Sequence, residues 1–185
     1  MVKVGFIVEG ASEKIVIESS DFRAFLHRNG FELLDPVVDA QGGGNLLPQH
    51  LRTFVETLSD LGADRIFILT DLERDISVDV VRARIQHDRV EMAFIAIKAL
   101  EAWFLADGTA MNAWLGGEHI EAFPEQTTQM PYDRLKEIAR NLGLQGPGRK
   151  VMLAKKMVDY GFSVTRAAAH PECGSARELV AYFGT

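Results

Sequence analysis

Hydrophobic positions along the chain alternate between two periods. Lys3–Val8 (KVGFIV) is a nearly continuous β-prone run, as expected of a strand covered on both faces. Glu9-Gly10 breaks the run. Ser12 is placed to cap a helix over Ser12–Arg28, in which Ile15, Phe22, Phe25 and Leu26 form an apolar stripe. Asn29-Gly30 ends that helix. A weaker apolar run surrounds Pro36–Ala40, and Gln41 with Gly42, Gly43 and Gly44 reads as a loop. The next helix starts near Asn45, carries Leu47, Leu51, Phe54, Val55 and Leu58 on one face, and closes at Gly62. Arg65–Thr70 (RIFILT) is the strongest strand candidate and runs straight into Asp71-Leu-Glu-Arg-Asp75. A short helix over Asp79–His87, a strand over Glu91–Ala96 and a helix over Ile97–Asp107 follow. Strands alternating with helices in this way predict an α/β fold with a mainly parallel sheet flanked by helices.

After Asp107 the pattern changes. Gly108–Pro131 holds Gly116-Gly117, Pro124 and Pro131 and reads as mostly loop with short helical pieces. Helices are expected over Asp133–Leu142, Lys150–Tyr160 and Ser175–Phe183, the last with Ser175 and Glu178 as a capping box. Residues 1–107 are therefore expected to form the α/β core, and residues 108–185 a helical extension packed on it. Trp103 and Phe104 are expected to pack inward, and Trp114 to offer an exposed contact.

With 185 residues, 47% hydrophobic and 25% charged, the chain has the balance of one ordinary globular domain and not of a disordered one. Twenty Lys+Arg against 26 Asp+Glu leave a net charge of −6, so no overall basic character advertises nucleic acid. The charge is uneven, however. Arg149, Lys150, Lys155, Lys156, Arg166 and Arg177 outnumber Asp159, Glu172 and Glu178 in the last stretch, which leaves the sheet-forming part strongly acidic. One cysteine, Cys173, excludes an intramolecular disulfide and suits a reducing cytoplasm. Lys98 and Glu101 interrupt the most apolar stretch, so no membrane span is expected. The immediate strand-like start leaves no room for a signal peptide, and a cytoplasmic location follows as an expectation.

In an open parallel sheet, ligands bind beyond the carboxyl ends of the strands, where strand order reverses. Glu9 follows the first strand, Asp71, Glu73 and Asp75 follow RIFILT, and Glu101 lies just past the next strand. Carboxylates gathered on one sheet edge repel one another unless a cation, basic groups or protons offset them. Oxygen ligands alone point to Mg²⁺ or Mn²⁺ rather than zinc. Gly42-Gly43-Gly44 lacks a P-loop pattern and reads as a connection. Gly146-Pro-Gly-Arg-Lys150 reads as a break between helices that is also able to grip a phosphate backbone. His27, His50, His87, His119 and His170 show no metal-type spacing. A phosphate-accepting receiver domain shares the β/α pattern, but it requires adjacent acids after the first strand, where Glu9 stands alone.

Val8-Glu-Gly-Ala-Ser-Glu13 resembles the V-E-G-x-(S/T)-(E/D) opening of Toprim domains, and Asp71-Leu-Glu73 after RIFILT resembles their D-x-D motif. Glu73 departs from that motif by one methylene. Lys98–Asp107 (KALEAWFLAD) is similar to the E-A-W-x-L-A-D segment of a small bacterial Toprim-like family, some of whose members lie near ATPases linked to phage defence. The resemblance covers about residues 2–107, and the overcoming-lysogenisation-defect nucleases are more distant relatives. It implies a Toprim-like, Rossmann-like fold and metal-assisted phosphoryl transfer by a nuclease in phage defence or DNA maintenance. Catalysis would rest on Glu9, Asp71 and Glu73, and one or two Mg²⁺ or Mn²⁺ ions on Glu9, Asp71, Glu73, Asp75 and Glu101. Nucleic acid, DNA ahead of RNA, would contact Lys98, Arg149, Lys150, Lys155 and Lys156. The alternative implied is a catalytically weak module that serves as a binding or regulatory subunit of a separate ATPase.

Overall fold

The structure, a computed structural model, describes residues 1–184. Five strands, β1 (Val2–Val8), β2 (Phe31–Leu33), β3 (Val38–Asp39), β4 (Arg65–Asp71) and β5 (Val90–Ala96), form one parallel sheet. β4 lies on one edge of β1 and β5 lies beyond it; β2 and β3 share the other edge, at the start and end of β1. Strand order therefore reverses between β1 and β4. The fold is α/β, as the alternating pattern predicts.

Helices cover both faces: α1 (Ala11–Ile17), α2 (Ser20–Arg28), α3 (Pro48–Asp60), α4 (Val78–Arg84), α5 (Glu101–Ala106), α6 (Gly108–Leu115), α7 (Pro131–Asn141), α8 (Lys150–Asp159), α9 (Val164–Ala169) and α10 (Gly174–Phe183). Because strand side chains alternate, each strand feeds two cores. Val4, Phe6, Val8, Phe67, Leu69 and Phe94 pack beneath α1, α2 and the C-terminal helices. Ile7, Ile66, Ile68 and Ile95 pack against Leu51, Val55 and Leu58 of α3 and Val81 of α4. Gly5 eases the second seam: a Cβ there would stand 2.9 Å from Leu58 Cδ1, so a larger residue would displace the Leu58 side chain of α3. On the other face Phe183 of α10 meets Phe6, Phe67 and Phe94, with ring centroids 5.0–6.0 Å apart. Residues 108–184 thus complete the core of the sheet.

Several sequence expectations are corrected. Ser12–Arg28 is two helices and not one, because the Ser19 hydroxyl starts α2 by accepting the Phe22 N–H at 3.3 Å. Gly10, not Ser12, is the N-cap of α1. The helix expected from Ile97 begins at Glu101, since Lys98 takes a left-handed turn with φ 62°. All six residues of α5 are buried, so Glu101 does not ride on an amphipathic surface helix. The segment read as mostly loop contains α6, which buries Trp114. α9 carries too little periodicity to announce itself.

Buried polar pairs replace the expected caps. The Asp107 carboxylate accepts from the Ser163 N–H and from Arg166 Nε and Nη2, each at 2.9 Å, and so ties the end of α5 to α9. Glu125, in the connection before α7, caps α10 by accepting from the Gly174 and Ser175 N–H groups at 2.9 and 3.0 Å. Ser175 lies inside α10, where its hydroxyl accepts from Trp103 Nε1 at 2.8 Å and from the Ile97 N–H at 3.2 Å. Glu178 pairs with Arg82 at 2.7 Å instead of completing a capping box. No helix among the described residues is long and apolar enough to cross a membrane.

Candidate acidic active site

The reversal of strand order between β1 and β4 opens a crevice at their carboxyl ends. Parallel register places Val8 beside Leu69, so Glu9 and Asp71 leave the sheet as neighbours. Glu9 Oε2 accepts from the Asp71 N–H at 3.1 Å and from the Thr70 hydroxyl. The glycine-rich loop closes over this pair through the Gly42 N–H, which donates to the Glu9 carbonyl at 2.8 Å. A Cβ at Gly43 would stand 3.2 Å from Glu9 Oε1, so the absent side chain leaves that carboxylate its space.

Two more carboxylates join from outside the sheet. Glu101 heads α5 and is 2% exposed. Its Oε1 lies 3.6 Å from Lys150 Nζ, while its Oε2 is buried with no hydrogen-bond partner. The Asp71 Oδ1 accepts from the Leu100 N–H at 2.8 Å, which joins β4 to the start of α5. Glu13, in the first turn of α1, is also buried, and a Cβ on Gly10 would lie 3.4 Å from its Oε2.

The electrostatics report the crowding. Burial, reinforced by the charges of Glu9 and Glu101, pushes Glu13 up to about 7. Burial and then the charges of Glu13, Glu101 and Glu9 hold Asp71 well above the usual aspartate range. Half-burial works against the Lys150 charge, yet Glu101 and Asp71 outweigh it and raise its pKa. Glu9, Glu13, Asp71, Glu101 and Lys150 therefore act as one electrostatic unit.

The other sequence candidates are placed differently. Glu73 is exposed in a left-handed turn with φ 50°, its N–H donating to the Lys98 carbonyl at 2.7 Å. Together with Glu101 and Lys150 it lines a cleft of about 310 Å³, and it is not among the charges that perturb Asp71. Asp75 is gripped by both terminal nitrogens of Arg84, at 3.1 and 2.8 Å, and this pairing holds its carboxyl below the usual range. The nucleic-acid candidates also scatter. Lys98 donates its ammonium to the Thr127 and Gln129 carbonyls and so fastens the loop before α7. Lys156 lies over Trp114, 6.0 Å from its ring centroid, which accounts for both residues differently from the sequence reading. Lys155 and Lys156 stand five and six residues beyond Lys150 on α8, turned roughly 140° and 240° from it. Arg149 is exposed at the N-cap of α8, beside the acidic unit.

Glu13 was missed as a site residue, although it stands within the motif at Val8–Glu13. An acid in a first helical turn reads as ordinary dipole compensation, and only burial distinguishes it. The donor set, all carboxylate oxygen with one orphaned buried atom, suits a hard divalent cation. As the side chains stand, no group of three or more His, Cys, Asp or Glu among the described residues is arranged to hold a metal ion. Comparison with family models, with curated proteins and with solved structures returns no significant match to this chain.

Proposed function

We propose that the chain is a divalent-metal-dependent phosphoryl-transfer enzyme, a Toprim-like nuclease acting on nucleic acid. One observation carries this reading: carboxylates from distant segments meet at the switch point of a parallel sheet, with Glu101 Oε2 buried and unpartnered. Glu9, Asp71 and Glu101, with Glu13 beside them, are the residues that would hold Mg²⁺ or Mn²⁺. Such an ion supplies charge neutralisation at the phosphate and at the leaving oxygen.

The chain's own groups divide the remaining work. Glu9 is held in one orientation by the Thr70 hydroxyl and the Asp71 N–H, both of which donate to its Oε2. Glu13, with its pKa near 7, is matched to accept a proton from water at neutral pH. Lys150 sets a cation beside Glu101, where a phosphate oxygen can meet it. Glu73 lines the cleft together with Glu101 and Lys150, at the approach to the buried carboxylates.

Nicking of supercoiled DNA with Mn²⁺ tests the reading. The wild-type chain should nick, and the Glu9→Gln, Asp71→Asn double variant should not while keeping its circular dichroism spectrum. Normal nicking by that folded double variant would end the assignment. Nucleic-acid binding without turnover by the wild type would favour a regulatory subunit of a separate ATPase.

A further inference from the structure

The cleft of about 310 Å³ beside the acidic unit is lined by Glu73 and Arg74 after β4, Glu101 on α5, Met130, Tyr132 and Asp133 at the start of α7, and Lys150 on α8, with Asp133 already paired to Lys136 at 2.7 Å. Its size is at the small end for ligand pockets and suits one nucleoside-sized group. Its chemistry is mixed in a specific way. Tyr132 provides a ring anchored by its hydroxyl, which donates to the Gly148 carbonyl; Lys136 Nζ covers part of the ring, 4.7 Å from its centroid, and the rest of the residue lines the cleft. Ala99 and Met130 add apolar wall. Arg74 has no hydrogen-bond or ion-pair partner among the described residues and is exposed at the rim. Glu73 is likewise an unpaired acceptor. Glu101 belongs to both the cleft and the acidic unit, so a group seated in the cleft has its neighbouring atoms at the carboxylates.

A ring to stack on, a cation for a phosphate and a carboxylate to accept N–H groups together fit a nucleotide whose base is out of a duplex. A paired base presents neither face for stacking. Resting on the phosphoryl-transfer reading of the adjoining carboxylates, we infer that this cleft takes one unpaired nucleotide unit. The base lies against Tyr132 and the phosphate lies between Arg74 and Lys150. The unit is either a free nucleotide or an unpaired residue of a strand.

Fluorescence anisotropy in EDTA with labelled oligothymidylate, a blunt duplex of equal length and thymidine monophosphate as competitor tests this. Oligothymidylate should bind about tenfold more tightly than duplex, and Tyr132→Leu and Arg74→Gln should each remove about tenfold of that affinity. Tyr132→Phe keeps the ring and should keep the preference, which separates lost stacking from lost folding. Competition by thymidine monophosphate at concentrations like those of the strand assigns a free nucleotide. Competition by the strand alone assigns an unpaired residue of a polymer. Equal binding of strand and duplex, or unchanged affinity in both Tyr132→Leu and Arg74→Gln, overturns the inference. Cleft binding with no Mn²⁺-dependent nicking sinks only the phosphoryl-transfer reading, and nicking without strand preference sinks only the cleft.

Discussion

Glu9 Oε2 accepts a hydrogen bond from the backbone N–H of Asp71 at 3.1 Å, across 62 positions of sequence. Two acids that ordinary repulsion would separate are thus held side by side by a backbone donor, a hydroxyl and the parallel register of β1 and β4. Their proximity is built into the sheet.

The first prediction concerns pH. Glu13 moves from 4.5 to about 7 on folding, so between those values the folded chain keeps a proton that the unfolded chain has released. Stability from this group is full below about pH 4.5 and is lost as pH rises through about 7. Asp71, raised by burial and then by its acidic neighbours, acts in the same direction. Glu13→Gln removes the first contribution, so its melting temperature should rise relative to wild type as pH increases across that window. A difference independent of pH would refute the assignment of burial and charge to Glu13.

Mn²⁺ at millimolar concentration should raise the melting temperature by ligand linkage, more at pH 8 than at about pH 5, because protons compete for the same oxygens. Asp71→Asn should remove the shift. A flat response in the wild type at both pH values counts against a cation site.

Gly43→Ala places a methyl carbon 3.2 Å from Glu9 Oε1, tighter than ordinary contact. The Glu9 carboxylate must give way. Melting should change by less than about 2 °C, as for a surface substitution, while nicking falls. Full activity would show that the orientation of Glu9 does not matter.

Arg166→Ala strands the Asp107 carboxylate, whose side chain is 0% exposed. Loss of one partner from such a pair costs about 3 kcal/mol, or roughly 10 °C in a chain of this size. Arg166→Lys should recover only part, since it cannot bond through two nitrogens. Chemical denaturation measures both.

The two candidate caps of α10 can be ranked the same way. Glu125→Ala removes the acceptor for two backbone donors and should cost about 1–2 kcal/mol. Glu178→Ala breaks a half-exposed pair with Arg82 and should cost less than about 1 kcal/mol. The reverse order would restore the capping box that the sequence suggests.

The fold was legible because period-2 and period-3.6 runs alternate cleanly as far as Asp107. Strand ends in a parallel sheet also bring Glu9 and Asp71 together with no further information. What the pattern hides is pairing. Asp75 looks like a ligand until Arg84, nine residues on, folds back to grip it. Lys98 looks like a phosphate contact until a left-handed backbone turns it into a tether for the loop before α7. Burial of Glu13 on α1 draws on α8, which packs against α1 from more than a hundred residues away and which no local window contains.

Phe183 sits among Phe6, Phe67 and Phe94. During synthesis, α2 can cover Phe6 early through Phe22, but Phe67 of β4 and Phe94 of β5 lack their Phe183 partner until α10 has been made. That interval exposes an adhesive surface to other nascent chains. Yield in the cell should accordingly respond to translation speed and chaperone supply more than the stability of the finished protein would suggest.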